Sequence, residues 1–124
     1  MRNLKIKPAT MAYAKEFYGN KFGKSFKGHV ALLNNEVVGV AGLTKLEDGT
    51  MLLFSDMKEK LRPLKRDIVM SILVIKEMVE KINYPIVSVA SKKEKAAKRI
   101  LERLGFIPSG NSTPDGSEIY WRIP

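Results

Sequence analysis

The sequence predicts a mixed α/β fold, and three stretches carry that reading. Between His29 and Leu43, two apolar runs flank Asn34-Asn35-Glu36, a β-hairpin signal. From Ile68 to Ile82, apolar residues recur at helical spacing over a long window. From Ile86 to Ala90, a nearly continuous apolar run reads as a central strand covered on both faces. An antiparallel meander followed by a crossover through a helix gives helices and strands one layered core.

The elements follow in chain order. Leu4-Lys5-Ile6-Lys7 alternates apolar and charged residues, so Asn3 to Lys7 reads as a strand with one apolar face. Pro8-Ala9-Thr10 ends it, and Thr10 serves as N-cap of a short helix from Met11 to Tyr18. Gly19-Asn20 stops that helix. Asn20 to Gly28 is glycine-rich, basic and aromatic (Phe22, Phe26), and reads as a loop. His29–Leu33 and Val37–Leu43 are the hairpin strands. Gly39 and Gly42 in the second point to a bulge or to close approach by another group. Glu47-Asp48-Gly49 turns the chain into a third strand, Met51 to Phe54. The helix from Ile68 to Ile82 should bury Ile68, Val69, Ile72, Leu73, Ile75, Met78, Val79 and Ile82 on one face. Asn83-Tyr84-Pro85 closes it. After the Ile86–Ala90 strand, Ser91-Lys92-Lys93-Glu94 has the capping-box pattern and opens a last helix. Ala97, Ile100, Leu101 and Leu104 point inward there, Lys95, Lys98, Arg99 and Glu102 outward, and Gly105 ends it. Phe106-Ile107 and Glu118–Ile123 read as two strands around a polar loop, Pro108 to Ser117. Residues 1–124 are expected to form a single domain.

Composition narrows the function. At 44% hydrophobic and 28% charged residues the chain is globular rather than disordered. It holds no cysteine and a single histidine, His29, so disulfides, thiolate metal sites and His-based metal clusters are not expected. No apolar run approaches the ~20 residues that span a bilayer, and Lys5 and Lys7 interrupt the only apolar residues near the start. A cytoplasmic protein without membrane contact is the expectation. The net charge of +9 attracts anionic partners: nucleic acid, an acidic protein or a phosphorylated cofactor. Plain solvation of helix faces is the competing explanation.

The chemistry concentrates between Met51 and Ile82. A short apolar strand feeds a helix through a connection holding Lys58, Lys60, Arg62, Lys65 and Arg66, diluted by Asp56, Glu59 and Asp67. A helix N-terminus offers unpaired backbone N–H groups and a partial positive charge, a favourable seat for phosphate. The connection contains no glycine, and Pro63 removes one N–H donor.

Three stretches together resemble the GCN5-related N-acetyltransferase (GNAT) superfamily. "HVALLNNEVVGVAGL" (29–43) looks like its second and third strands. Residues 51–79 look like its fourth strand, cofactor loop and following helix, and "AAKRILERLGF" (96–106) like its last helix, which commonly ends in Leu-Gly-Phe. The stretch "FSDMKEKLRPLKRDIV" (54–69) also resembles a divergent group of small bacteriophage-encoded GNAT-like proteins, which would place the chain in a host cytoplasm. The resemblance implies a mostly antiparallel central sheet of six or seven strands flanked by three or four helices. It implies transfer of an acyl group from acetyl-CoA, or another acyl-CoA, to an amine. Leu53, Phe54 and Ser55 would then face the pantetheine arm. Lys60, Arg62, Lys65, Arg66 and Asp67 would lie along the pyrophosphate, with the cations standing in for the family's glycines. The family's frequent tyrosine acid falls on Leu101, which donates no proton.

Three residues are candidates for catalysis. Asp56, just past the fourth strand, is either a base or the cap of the following turn. His29 is either a base, as an imidazole suits proton transfer near neutral pH, or an ordinary edge histidine. Tyr120, in the last strand, either reaches the cleft or sits half-buried, and Trp121 on the opposite face is read as core or interface. Ser91 is read as an N-cap, Ser88 as a polar strand residue. The alternative to an enzyme is a catalytically silent GNAT-fold accessory protein, or a virion component, whose basic surface engages a host protein or nucleic acid. Homodimerisation is compatible with either.

Overall fold

The computed structural model describes residues 4–19, 26–61 and 63–124. Its elements run β1 (Leu4–Pro8), α1 (Met11–Tyr18), β2 (Lys27–Leu33), β3 (Glu36–Lys45), β4 (Met51–Met57), a 3-10 turn (Glu59–Leu61), α2 (Lys65–Glu80), β5 (Ile86–Ala90), α3 (Ala97–Arg103), β6 (Ile107–Ser112) and β7 (Glu118–Arg122). The strands form one seven-stranded sheet in the order β1-β2-β3-β4-β5-β7-β6. Every neighbouring pair is antiparallel except β4 and β5. The predicted succession of strands and helices is the observed one.

Local chemistry explains the ends of most elements. The Tyr13 N–H donates to the Thr10 hydroxyl at 3.2 Å, the expected N-cap of α1. Asn34 and Asn35 both take positive φ, 51° and 69°, as a two-residue hairpin turn of the favoured twist requires. Gly105, at φ 89°, ends α3. The Phe106 N–H returns to the Leu101 carbonyl and the Gly105 N–H to the Glu102 carbonyl, the paired bonds of a Schellman stop. In β3, Ala31 pairs with Gly39 but Leu32 pairs with Val37, so Val38 is a bulged residue. Both strand glycines are closely approached. A Cβ on Gly42 would stand 2.5 Å from the Phe26 ring, and one on Gly39 would meet the Leu61 side chain at 3.0 Å.

The sheet buries both faces of its first half. α1 lies on one, where Tyr13 and Phe17 pack on Val30, Leu32, Val37 and Val40. α2 and α3 lie on the other, over Ala41, Leu43, Leu53, Ile86 and Tyr120. On the α1 side of the β5-β7-β6 half, Val89 and Ile107 remain exposed.

Five expectations are corrected. α2 begins at Lys65, not Ile68, because Lys and Arg are good helix formers and only Pro63 interrupts the chain. Of its predicted buried face, Val69 and Leu73 are exposed; Ile72, Ile75 and Val79 form the buried seam. The Ser91–Glu94 pattern does not cap a helix. The Lys92 N–H is held by the Ser117 hydroxyl at 3.2 Å, the chain makes two turns, and α3 starts at Ala97. The first half of the loop Pro108–Ser117 is strand, since β6 extends to Ser112 through a bulge beside Gly110. Tyr120, rather than Trp121, is the fully buried aromatic of β7. The loop read over Asn20–Gly28, Phe22 included, lies outside the described residues up to position 25.

Candidate functional site: the opening between β4 and β5

Among the described residues β4 and β5 are the only parallel neighbours, and they stay paired for two residues, Met51 with Ile86 and Leu52 with Val87. Beyond that they separate. The buried Ser88 hydroxyl donates to the Leu53 carbonyl at 2.8 Å, so a side chain satisfies the first acceptor that the ladder leaves behind. From Phe54 to Met57 the β4 edge facing β5 has no strand partner among the described residues. Its other edge is fully paired with β3, which holds the open segment straight.

A cavity of about 580 Å³ occupies the opening and continues beneath α2. Leu53, Phe54, Ser55 and Asp56 line it from β4, and Ser88 and Val89 from β5. Ile68, Ser71, Ile72 and Ile75 of α2 and Ala97, Ile100 and Leu101 of α3 cover it. At its far side it reaches Ile6, His29 and Ala31, on β1 and β2.

Strand register sorts the predicted residues by face. His29, Ala41 and Ser55 are paired across β2, β3 and β4, so they share the α2 face. Val30, Val40 and Asp56 are paired one step along and share the α1 face. The two candidate bases, His29 and Asp56, therefore stand on opposite sides of the sheet. Leu53 is buried under α2, whereas Phe54 points to the α1 side and meets Phe26 edge-on, ring centroids 5.1 Å apart. Tyr120 packs in the core with Leu101, Leu104 and Phe106 and does not line the cavity. Burial, with the nearby carboxylates of Glu118 and Glu102, raises its hydroxyl pKa.

Asp56 accepts a 2.5 Å hydrogen bond from the Tyr18 hydroxyl at the end of α1. Its carboxylate is thus tied to α1 rather than capping the turn after β4. Burial first, then the hydrogen bond and charge of Asp56, push the Tyr18 pKa far above the usual tyrosine value, so the phenol remains a donor. The Nδ1 atom of His29 is buried without a hydrogen-bond partner.

The basic residues divide. Lys60 is turned to the hairpin, where its ammonium meets Glu36 at 2.7 Å, joined by Lys58 at 3.4 Å. Hydrogen bonding from Lys60 and Lys58 holds the Glu36 carboxyl below its ordinary value. Lys65 and Arg66 are exposed on the first turn of α2, not in a loop, with Asp67 beside them. Arg62 lies outside the described residues. Two contributors went unassigned in the sequence. Ser88 left a trace there, as a hydroxyl inside an otherwise apolar strand. Tyr18 left none, because its partner is 38 residues away.

No family model matches the sequence, and neither does any curated protein. Solved structures do match. An acetyltransferase of the GNAT family from Staphylococcus aureus Mu50 superposes with a TM-score of 0.61 at 18% identity, covering 97% of this chain and 98% of that one. One from Streptococcus pneumoniae gives 0.65 at 13%, covering 98% and 100%. This is the GNAT fold. The Escherichia coli ribosomal-protein-S18-alanine N-acetyltransferase shares it as well, at TM-score 0.61 and 17% identity over 97% of this chain and 93% of that one. The parting of β4 and β5 has the shape to admit an extended arm such as that of an acyl-CoA. An unpaired strand edge offers backbone donors and acceptors, and the adjoining cavity has the volume of a small-ligand site.

Proposed function

We propose that the protein is a GNAT-type N-acyltransferase that moves an acyl group from an acyl-CoA to an amine. The observation that carries this reading is the separation of β4 from β5 after Leu52, with the cavity running in from the gap. Bound acyl-CoA supplies the activated thioester; the remaining work belongs to side chains and backbone of this protein. The Phe54–Met57 edge holds the arm by strand-like hydrogen bonds, and a β4 backbone N–H faces the oxygen on which negative charge develops. Lys65 and Arg66, on the first turn of α2, take the phosphates together with the N–H groups of that turn and with Arg62.

Asp56 is the general base in this reading. One carboxylate oxygen is engaged by Tyr18, which fixes the group on the α1 side of the sheet. The other oxygen takes the proton that the amine sheds as the C–N bond forms and the C–S bond breaks. Leu101 cannot return a proton to the departing thiolate, so solvent supplies it. Lys60 is assigned to the Glu36 ion pair instead of the phosphates.

Calorimetry with CoA and acetyl-CoA tests the reading. Binding is expected, weakened at least tenfold by Arg62→Ala combined with Lys65→Ala. Absence of binding at millimolar ligand refutes it.

A further inference from the structure

The opening between β4 and β5 is lined from both faces of the sheet. Leu53 and Ser88 belong to the α2 face, whereas Phe54, Asp56 and Val89 belong to the α1 face. An amine that gives its proton to Asp56 therefore arrives from the α1 side.

What it meets there is set by the far half of the sheet. Leu52, Val87 and Trp121 are paired across β4, β5 and β7, and Ile107 of β6 is paired with Trp121. These four form one cross-strand row on the α1 face. Val89 and Ile119, paired with each other, make the next row, beside the gap. Among the described residues none of these six joins a core cluster beneath a helix, and Val89 is 41% exposed. The charged residues of β7, Glu118 and Arg122, are on the other face. α1 packs over β2 and β3, and Tyr18 at its end holds Asp56. The α1 side is thus a step: a helical wall with a carboxylate at its foot, and an uncharged apolar floor leading away from it.

We propose that this floor receives the acceptor, and that the acceptor is a small primary amine with an apolar body, of the arylalkylamine kind. Its ammonium pairs with Asp56, and its ring lies over Val89 and Ile119, towards Trp121. The inference rests on the acyltransferase reading, which supplies the direction of approach. One carboxylate beside an uncharged floor suits a single positive charge joined to an apolar group. The further charges of a polyamine would find no partner on this face of β5 or β7. The floor begins at least one strand interval, about 5 Å, beyond β4, which sets a short linker between nitrogen and ring. The ammonium loses one proton to solvent before attack, and the second goes to Asp56 as the C–N bond forms.

Trp121 is the only tryptophan, so its fluorescence reports on the floor directly. Phenethylamine, ethanolamine and spermidine are titrated against the protein with CoA present and absent, and compared as acceptors from acetyl-CoA. Calorimetry reads CoA binding separately. Laying one face of a phenyl ring on the floor should tighten binding on the order of tenfold over ethanolamine, with spermidine no better than ethanolamine. Asp56→Asn should weaken phenethylamine binding. Val89→Thr with Ile119→Thr keeps strand-favouring side chains and should bring the phenethylamine-to-ethanolamine ratio towards one. Thermal melts check folding, and Val89→Thr alone carries the test if the pair does not fold. CoA binding with no preference for phenethylamine overturns the floor as an acceptor site and leaves the acyltransferase reading standing. A Trp121 signal that follows protein concentration instead of amine, in step with a dimer in light scattering, assigns the face to a second copy and overturns the proposal. Amine binding without CoA binding overturns the acceptor role together with the acyltransferase reading.

Discussion

Removing the Ser88 hydroxyl strips the Leu53 carbonyl of its partner at the point where β4 and β5 part. Both groups are buried, so Ser88→Ala should cost about 1–2 kcal/mol, measured by denaturant unfolding; a change within a few tenths would contradict this account. Tyr18 is more exposed, and its bond to Asp56 is partly screened. Tyr18→Phe is expected to lose about 1 kcal/mol near neutral pH. The pH dependence has a definite sign. The folded-state pKa of Tyr18 is raised above the ordinary tyrosine value of 10.0. Its contribution is therefore complete below pH 10 and fades as pH rises from there, because the unfolded phenol ionises first. Thermal melts of wild type and Tyr18→Phe should converge above that pH, and a gap that widens would refute the pairing. Neither contact could be read from sequence spacing, because each joins residues remote in the chain. Leu53 and Ser55 could be placed together, because strand alternation puts both on one face.

At the scale of elements, α2 carries a conflict between stability and the proposed function. Lys65 and Arg66 stand in its first turn, where the helix dipole disfavours cations, and Leu64 provides no side-chain cap. Replacing both by Glu should stabilise the protein by about 0.5–1 kcal/mol while weakening CoA binding at least tenfold. If stability and affinity move together, the cations serve the fold and the phosphate role falls. Gly105 offers a plainer case. It ends α3 at φ 89°, and Gly105→Ala should cost about 1 kcal/mol by forcing a Cβ into the left-handed region. That glycine was readable in advance, as was Thr10, because each acts within its own turn. The start of α3 was not. Ser91 to Glu94 satisfies a local capping pattern, but the Lys92 amide is claimed by Ser117 from the β6–β7 connection. A contact made across the fold overrides a weak local preference.

For the molecule as a whole, a ligand that binds only the folded state must raise its melting point. CoA at a hundredfold excess over Kd should add about 2.7 kcal/mol, or roughly 10 °C for a domain of this size. High salt should shrink the shift, because phosphates held by exposed cations are screened within a few ångströms; a shift indifferent to salt would place the ligand elsewhere. Periodicity alone determined the order of strands and helices, since apolar alternation and helical spacing are written in neighbouring residues. It also marked the Met51–Ile82 stretch as a place for an anionic ligand, because charge and a strand-to-helix passage are local features. Only the folded chain decided that β4 and β5 part after two pairs, that His29 and Asp56 face opposite sides of the sheet, and that Lys60 is occupied by Glu36. Each of these depends on which strands become neighbours and in what register, and register follows from packing the whole sheet between its helices.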